Sequence, residues 1–260
     1  MALRLPSQPA SLRLGNINVK DMSLALSKEN YFWHKVHSLT GIVPVGFYMV
    51  QHLTLNSFTI AGPDRFDGVI HFFESLPKHI LLTLEVLAIW LPLLFHAVYG
   101  LFIVNRGEPN YFQTKYKWSQ NRMYSLQRWS GMFLFLFLAF HIATTTIAKY
   151  IAGTSTGIEY AAWQEKLTSY GYVLFVVYIL GILAASYHLS YGVWNFCIRW
   201  GITISDKAQL RVQKFSMGLF VVITLLGWGA LVGFLIHDPK GMGRSVGLDS
   251  KQVTMLQSSK

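Results

Sequence analysis

Residues 81–104, LLTLEVLAIWLPLLFHAVYGLFIV, decide the fold: an apolar stretch carrying a single histidine, His96, and a single carboxylate, Glu85. A bilayer-crossing helix needs about 20 mostly apolar residues, and an ionisable side chain inside one is costly unless a partner or a function holds it there. His96 therefore needs a partner. Three further apolar segments each carry one such histidine, His52, His141 and His188.

Working outward, five segments are long and apolar enough to span: roughly 36–60, 80–104, 126–150, 170–197 and 215–236. The 260 residues are 52% hydrophobic and 13% charged, against about 25% charged in an ordinary soluble domain. The expected fold is an all-α integral membrane bundle of five transmembrane helices. Residues 1–35 form an N-terminal arm, 36–237 the membrane domain, and 238–260 a glycine-bearing tail expected to be poorly ordered. Residues 1–30 lack the apolar core of a cleavable signal peptide, so the arm reads as cytoplasmic.

The net charge of +10 does not point to nucleic acid, because the basic residues lie between spans, where they set topology. The arm, the stretch 106–128 and the stretch 199–214 hold fourteen of the 22 Lys and Arg residues, and the opposite face holds eight. This places the N-terminus in the cytoplasm and the C-terminus outside. On the outer side, 61–79 opens with a Gly-Pro turn and contains a short amphipathic piece ending at Pro77, and 153–168 is a second connection with Trp163 as its interface anchor. Cys197 is the one cysteine, which excludes an internal disulfide and an ordinary iron–sulfur cluster. Any flavin or cluster sits on a partner subunit.

A weak internal repeat runs through the spans. SLTG ends at Gly41 with His52 eleven residues later, and QRWSG ends at Gly131 with His141 ten later; FHAVYG at 95–100 is matched by YHLSYG at 187–192. The histidine-bearing spans thus form two similar pairs around a shared interior. At about 1.5 Å of rise per residue, His52 and His141 lie about 22–24 Å from the cytoplasmic side, and His96 and His188 roughly 12–17 Å from it.

Two opposed imidazoles at one depth are what a six-coordinate haem iron uses for electron transfer. We therefore expect an outer haem b held by His52 and His141 and an inner one held by His96 and His188. A lone core histidine would ordinarily read as a hydrogen-bonding group, but four that sort into depth-matched pairs favour haem. Zinc would need a third and fourth ligand that neither level offers. Donors for haem propionates stand on the cytoplasmic rim: His37, Ser38, Gln127, Arg128 and Arg199. Pro44 and Pro92 should bend their helices, and Pro92, one turn before His96, should help to aim it. Reducing a quinone also takes two protons, and Glu74, Glu85 and His71, toward the outer side, are the candidate proton-handling groups of a quinone site.

Laid out in this way, the chain resembles the cytochrome b membrane anchors of bacterial succinate:quinone oxidoreductases, in their single-chain, five-helix, di-haem form. The resemblance is carried by HKVHSLTGIVPVGFYMVQHL (34–53), HFFESLP (71–77), LPLLFHAVYG (91–100), LQRWSGMFLFLFLAFH (126–141) and YHLSYGVWNFCIRWGI (187–202). It implies residence in the bacterial cytoplasmic membrane among its lipids. It further implies a flavoprotein and an iron–sulfur subunit docked on the cytoplasmic face, and electron flow from succinate through the inner and then the outer haem to a quinone, menaquinone. FAD and the iron–sulfur clusters would lie only on those partners. Some fumarate reductases of this kind carry a glutamate two residues before the fourth ligand for transmembrane proton movement. Here that position is Ser186, which favours succinate oxidation. The alternatives are the di-haem cytochrome of another quinone-linked complex, of hydrogenase or formate dehydrogenase type, and a haem-free polytopic transporter.

Overall fold

The computed structural model describes residues 13–14, 17–106 and 119–238. A two-residue antiparallel ladder, β1 (Arg13–Leu14) on β2 (Ile17–Asn18), leads into helix α1 (Val19–Ile42), and from there the described chain is helical. Helix α2 (Pro44–Asn56) follows, then a 3-10 turn (Ser57–Ala61) and α3 (Pro63–Ser75). Four long helices complete the described residues: α4 (Lys78–Arg106), α5 (Asn121–Ala152), α6 (Tyr160–Arg199) and α7 (Asp206–Ile236). Each of these four is long and apolar enough to cross a membrane.

The first expected span, 36–60, is divided. Pro44 has no N–H to give to the preceding turn, so α1 stops at Ile42 and α2 restarts with the proline in its first turn. Val43 between them keeps right-handed helical angles (φ −73°, ψ −64°), and its N–H still reaches the Leu39 carbonyl at 2.9 Å. The course of the chain is therefore nearly continuous across the break.

Pro92 is accommodated differently. Instead of a break, α4 widens into a π turn over Val86–Trp90, where the Leu91 N–H bonds the Val86 carbonyl. That register shift absorbs the bond that a proline at the next position cannot make. A second π turn, Ala143–Ile147, opens in α5 two residues after His141. Helix α6 is interrupted at Ser169–Tyr172, where Tyr170, Gly171 and Tyr172 all have positive φ (51°, 66° and 63°). This left-handed turn falls at the boundary that hydropathy sets near residue 170.

Packing between the long helices is anchored by indole donors. Trp194 Nε1 donates to the Gln209 carbonyl and Trp228 Nε1 to that of Ile179, each at 3.1 Å, fixing α6 antiparallel to α7. Tyr187 Oη ties α6 to α5 through the Met123 carbonyl at 3.0 Å. At the end of the bundle where α6 begins, Phe66 of α3 packs with Tyr160, Leu167, Tyr178 and Phe234 in one buried cluster. Trp163, half-buried, packs against that cluster with its ring 5.3 Å from Tyr178. Tyr160 Oη donates to the Gly233 carbonyl at 2.6 Å, and Asp67 Oδ1 accepts the Tyr160 N–H at 2.8 Å where α6 begins. The tail beyond Asp238 and residues 1–12 of the arm lie outside the described residues.

Candidate functional site

The four span histidines come together as two facing pairs. The ring centroids of His52 (α2) and His141 (α5) lie 5.9 Å apart with planes at 75°, and those of His96 (α4) and His188 (α6) lie 6.1 Å apart at 88°. A metal bonded to one nitrogen of each ring, at the usual distance of about 2.0–2.1 Å, would separate the centroids by about 6 Å. Either pair could thus hold one metal ion axially. Among the described residues no group of three or more His, Cys, Asp or Glu side chains gathers to make a larger ligand set.

Hydrogen bonds to backbone carbonyls fix how the inner pair presents itself. Nδ1 of His96 is 2.9 Å from the His37 carbonyl oxygen, and Nδ1 of His188 is 3.2 Å from that of Gln127. A carbonyl only accepts, so in both rings Nδ1 carries the proton and Nε2 keeps its lone pair for a metal. Metal-binding histidines are commonly held in this way. At the outer pair, Nδ1 of His141 lies 3.0 Å from the Tyr178 hydroxyl, and Tyr48 stacks on His52 with centroids 5.6 Å apart.

The repeat seen in the sequence acquires a physical meaning here. His37 and Gly41 stand one turn apart on α1, as do His96 and Gly100 on α4. A Cβ on Gly41 would run into the His96 ring, and one on Gly100 would come within 3.2 Å of His37 Nε2. Each histidine occupies the space left by the other helix's glycine. The second half repeats the arrangement with Gln127 and Gly131 on α5 against His188 and Gly192 on α6: a Cβ on Gly131 would approach the His188 ring to 2.9 Å, and one on Gly192 would lie 3.7 Å from Gln127 Nε2. In each half, the residue four before the first glycine also supplies the carbonyl that takes the imidazole proton.

The rim residues are distributed around this inner pair. Ser38 Oγ accepts from Trp200 Nε1 at 3.1 Å, which ties α1 to the end of α6 beside Arg199. Gln127 Nε2 donates to the His188 carbonyl at 3.1 Å, while its Oε1 is buried and has no hydrogen-bond partner among the described residues. Arg128 donates to the Val104 carbonyl at 2.6 Å, closing the last turn of α4. The His37 ring faces inward and stacks on His96, with centroids 4.1 Å apart and planes 9° from parallel. The paired rings, the fixed tautomers and the glycine recesses suit a haem between α1, α4, α5 and α6.

The acidic candidates meet at the C-terminal end of α5. Glu85 Oε2 accepts from Tyr150 Oη at 3.3 Å, and the neighbouring Lys149 Nζ is 3.5 Å from Glu74, which is itself 3.6 Å from His71 Nδ1. The hydroxyl of Ser155, the charge of Lys149 and the ring of His71 hold the Glu74 carboxyl below the usual carboxylate range, against a smaller opposing effect of desolvation. A groove of about 450 Å³ lies nearby, between Gln51, Leu55 and Phe58 of the first span and Arg65, Val69 and Phe72 of α3. None of the three expected proton-handling groups lines it.

The sequence reading missed Tyr178 and Tyr48. Tyr178 sits eight residues inside the outer end of its expected span and His141 nine inside the outer end of its own, so the depth count that matched the histidines could have found it. Tyr48 is one turn before His52 on the same helix.

Comparison with known proteins follows the same line. The chain is 33% identical over 205 residues to the succinate dehydrogenase cytochrome b558 subunit of Bacillus subtilis, a match spanning 79% of this chain and 97% of that one. It is 23% identical over 209 residues to the fumarate reductase cytochrome b subunit of Helicobacter pylori, in each of two strains, covering 76% of this chain and 78% of theirs. No protein-family profile matches it.

Proposed function

The chain belongs to the family of succinate dehydrogenase cytochrome b subunits, and on that premise we propose that it holds two haems b and passes electrons from an iron–sulfur subunit to menaquinone. It is a multi-pass membrane protein and serves as the membrane anchor of its complex. In the proposed topology α1 and α2 together make a first crossing, giving five, with residues 1–35 in the cytoplasm of a bacterium and the tail, 238–260, outside. The membrane domain is then 36–237. The flavoprotein that oxidises succinate and the iron–sulfur subunit, with FAD and clusters, dock on the cytoplasmic face.

The observation that carries this reading is the pair of facing imidazole couples with centroids 5.9 and 6.1 Å apart. A haem with both axial positions taken by imidazole supplies one-electron transfer and leaves no open coordination site for oxygen. His52 and His141 are the proposed outer ligands, and His96 and His188 the inner ones, nearer the incoming electrons. The carbonyls of His37 and Gln127 hold the inner rings in the tautomer that ligates. Gln127 and Arg199 offer donors to haem carboxylates at the rim, Arg128 is positioned by its bond to α4, and Ser38, whose hydroxyl donates to the Lys35 carbonyl at 2.9 Å, would exchange that bond to join them.

Protons for the quinone are assigned to the outer cluster of Glu74, Glu85 and His71. Ser155, Lys149 and His71 favour the ionised form of Glu74, and His71 Nδ1 stands 3.6 Å from that carboxylate, so the two side chains are adjacent links for a proton on its way to the quinone. The complex, purified with its partner subunits, should reduce a menaquinone analogue with succinate. Replacing Glu74 and Glu85 together by Gln should slow that turnover by about 10²-fold and leave both haem spectra unchanged. Undiminished turnover would place the proton-handling groups elsewhere.

A further inference from the structure

We propose that His37 is a positioning residue for the inner haem, its ring acting as the stop that holds the His96 imidazole perpendicular to that of His188. The inference rests on the reading that His96 and His188 are the axial ligands of that haem. The His37 ring lies 4.1 Å from the His96 ring with planes only 9° apart. Turning His96 about its own axis would drive a ring edge into that face. The same residue's carbonyl takes the His96 Nδ1 proton at 2.9 Å, so one residue sets both the tautomer and the plane of the ligand. The held ring stands at 88° to His188.

The internal repeat makes the role specific. The position equivalent to His37 in the second half is Gln127, which also gives its carbonyl to the ligand histidine and also fills the space left by a glycine one turn beyond that ligand. Gln127 presents an amide and no ring. Packing and tautomer control are therefore met by either residue, and the parallel ring stack is what His37 adds. Tyr99, with its centroid 5.8 Å from His37, and the recess at Gly100 keep the His37 ring from swinging away.

The relative orientation of two axial imidazoles is read directly by electron paramagnetic resonance. Near-perpendicular planes bring the two iron d orbitals that interact with the rings close in energy and give a ferric low-spin signal with one very large g value. Parallel planes split those orbitals and give an ordinary rhombic signal with a smaller largest g. The test is made on the oxidised, fully assembled complex carrying His37→Gln, the residue of the other half, or His37→Phe, which keeps an aromatic face.

His37→Gln should retain both haems and shift the inner haem's largest g downward toward the rhombic signal, with the outer haem's signal unmoved. His37→Phe should hold the inner signal near its original position. Loss of the inner haem in the Gln variant together with its retention in the Phe variant also supports the stack. An unshifted inner signal in His37→Gln, an equal shift in both variants, or loss of the inner haem in both overturns it. Failure of the underlying reading shows elsewhere: His96→Ala would then leave the haem content of the complex unchanged.

Discussion

A methyl group at Gly41 would stand inside the ring of His96, and one at Gly131 would press on His188. Neither glycine has a positive φ, so close approach alone requires them. Gly41→Ala should therefore empty the inner haem site while leaving the outer one filled, halving the haem content and removing one of two components from the reduced-minus-oxidised spectrum. Retention of both components would mean that the His96 ring is not confined where the glycine leaves room. At this scale the four histidines were legible because an imidazole in an apolar span has few reasons to exist. The inward stack of His37 was not, because a residue at the head of a span reads as a rim residue until the facing helix is known. Glu74 shows the same limit: its proximity to Glu85 through Lys149 and Tyr150 joins residues 74 and 85 by way of a helix some 65 positions away. Its ion pair contributes at pH values above the ordinary carboxylate pKa and is lost as pH falls through the lowered one.

Among the elements, the breaks carry more information than the helices. Apolar runs and prolines marked where helices lie and where their bonding is interrupted. They did not tell that Pro44 would split a helix while Pro92 would be absorbed by a π turn, since that choice depends on the neighbours packed against each. The left-handed turn at Tyr170–Tyr172 carries no glycine-rich signature beyond Gly171. Holding a residue with a side chain in that region costs roughly 1–2 kcal/mol. Tyr170 is 94% exposed, so replacing it removes little packing within the chain. Tyr170→Gly should thus raise the thermal midpoint of the purified complex, by relief of about 1 kcal/mol; a lowered midpoint would show that the Tyr170 ring contributes more than its backbone costs. Where α6 starts, Asp67→Ala removes the acceptor for the Tyr160 N–H and should cost about 1 kcal/mol, read as a lower midpoint with unchanged haem spectra.

For the molecule as a whole, the proposed orientation follows from charge, and chemistry can read it from either side. In a Cys197→Ser background, Ser75→Cys should react with a membrane-impermeant maleimide in intact cells, and Lys207→Cys only once the membrane is opened. The reverse pattern would invert the topology. The distribution of Lys and Arg is the ground for the proposed sidedness, and two depth levels made the pairing of the histidine-bearing helices legible. The antiparallel seam of α6 on α7 was not, because it depends on where indole donors meet carbonyls across helices. We propose that four histidines, paired by depth, hold two haems. Counting b haems per chain in the purified complex, and following the spectral components through His52→Ala, His96→Ala, His141→Ala and His188→Ala, decides it. Two haems are predicted, with His96→Ala and His188→Ala removing one component and His52→Ala and His141→Ala the other. A single haem, none, or loss of the same component on replacing His96 as on replacing His141 would contradict it.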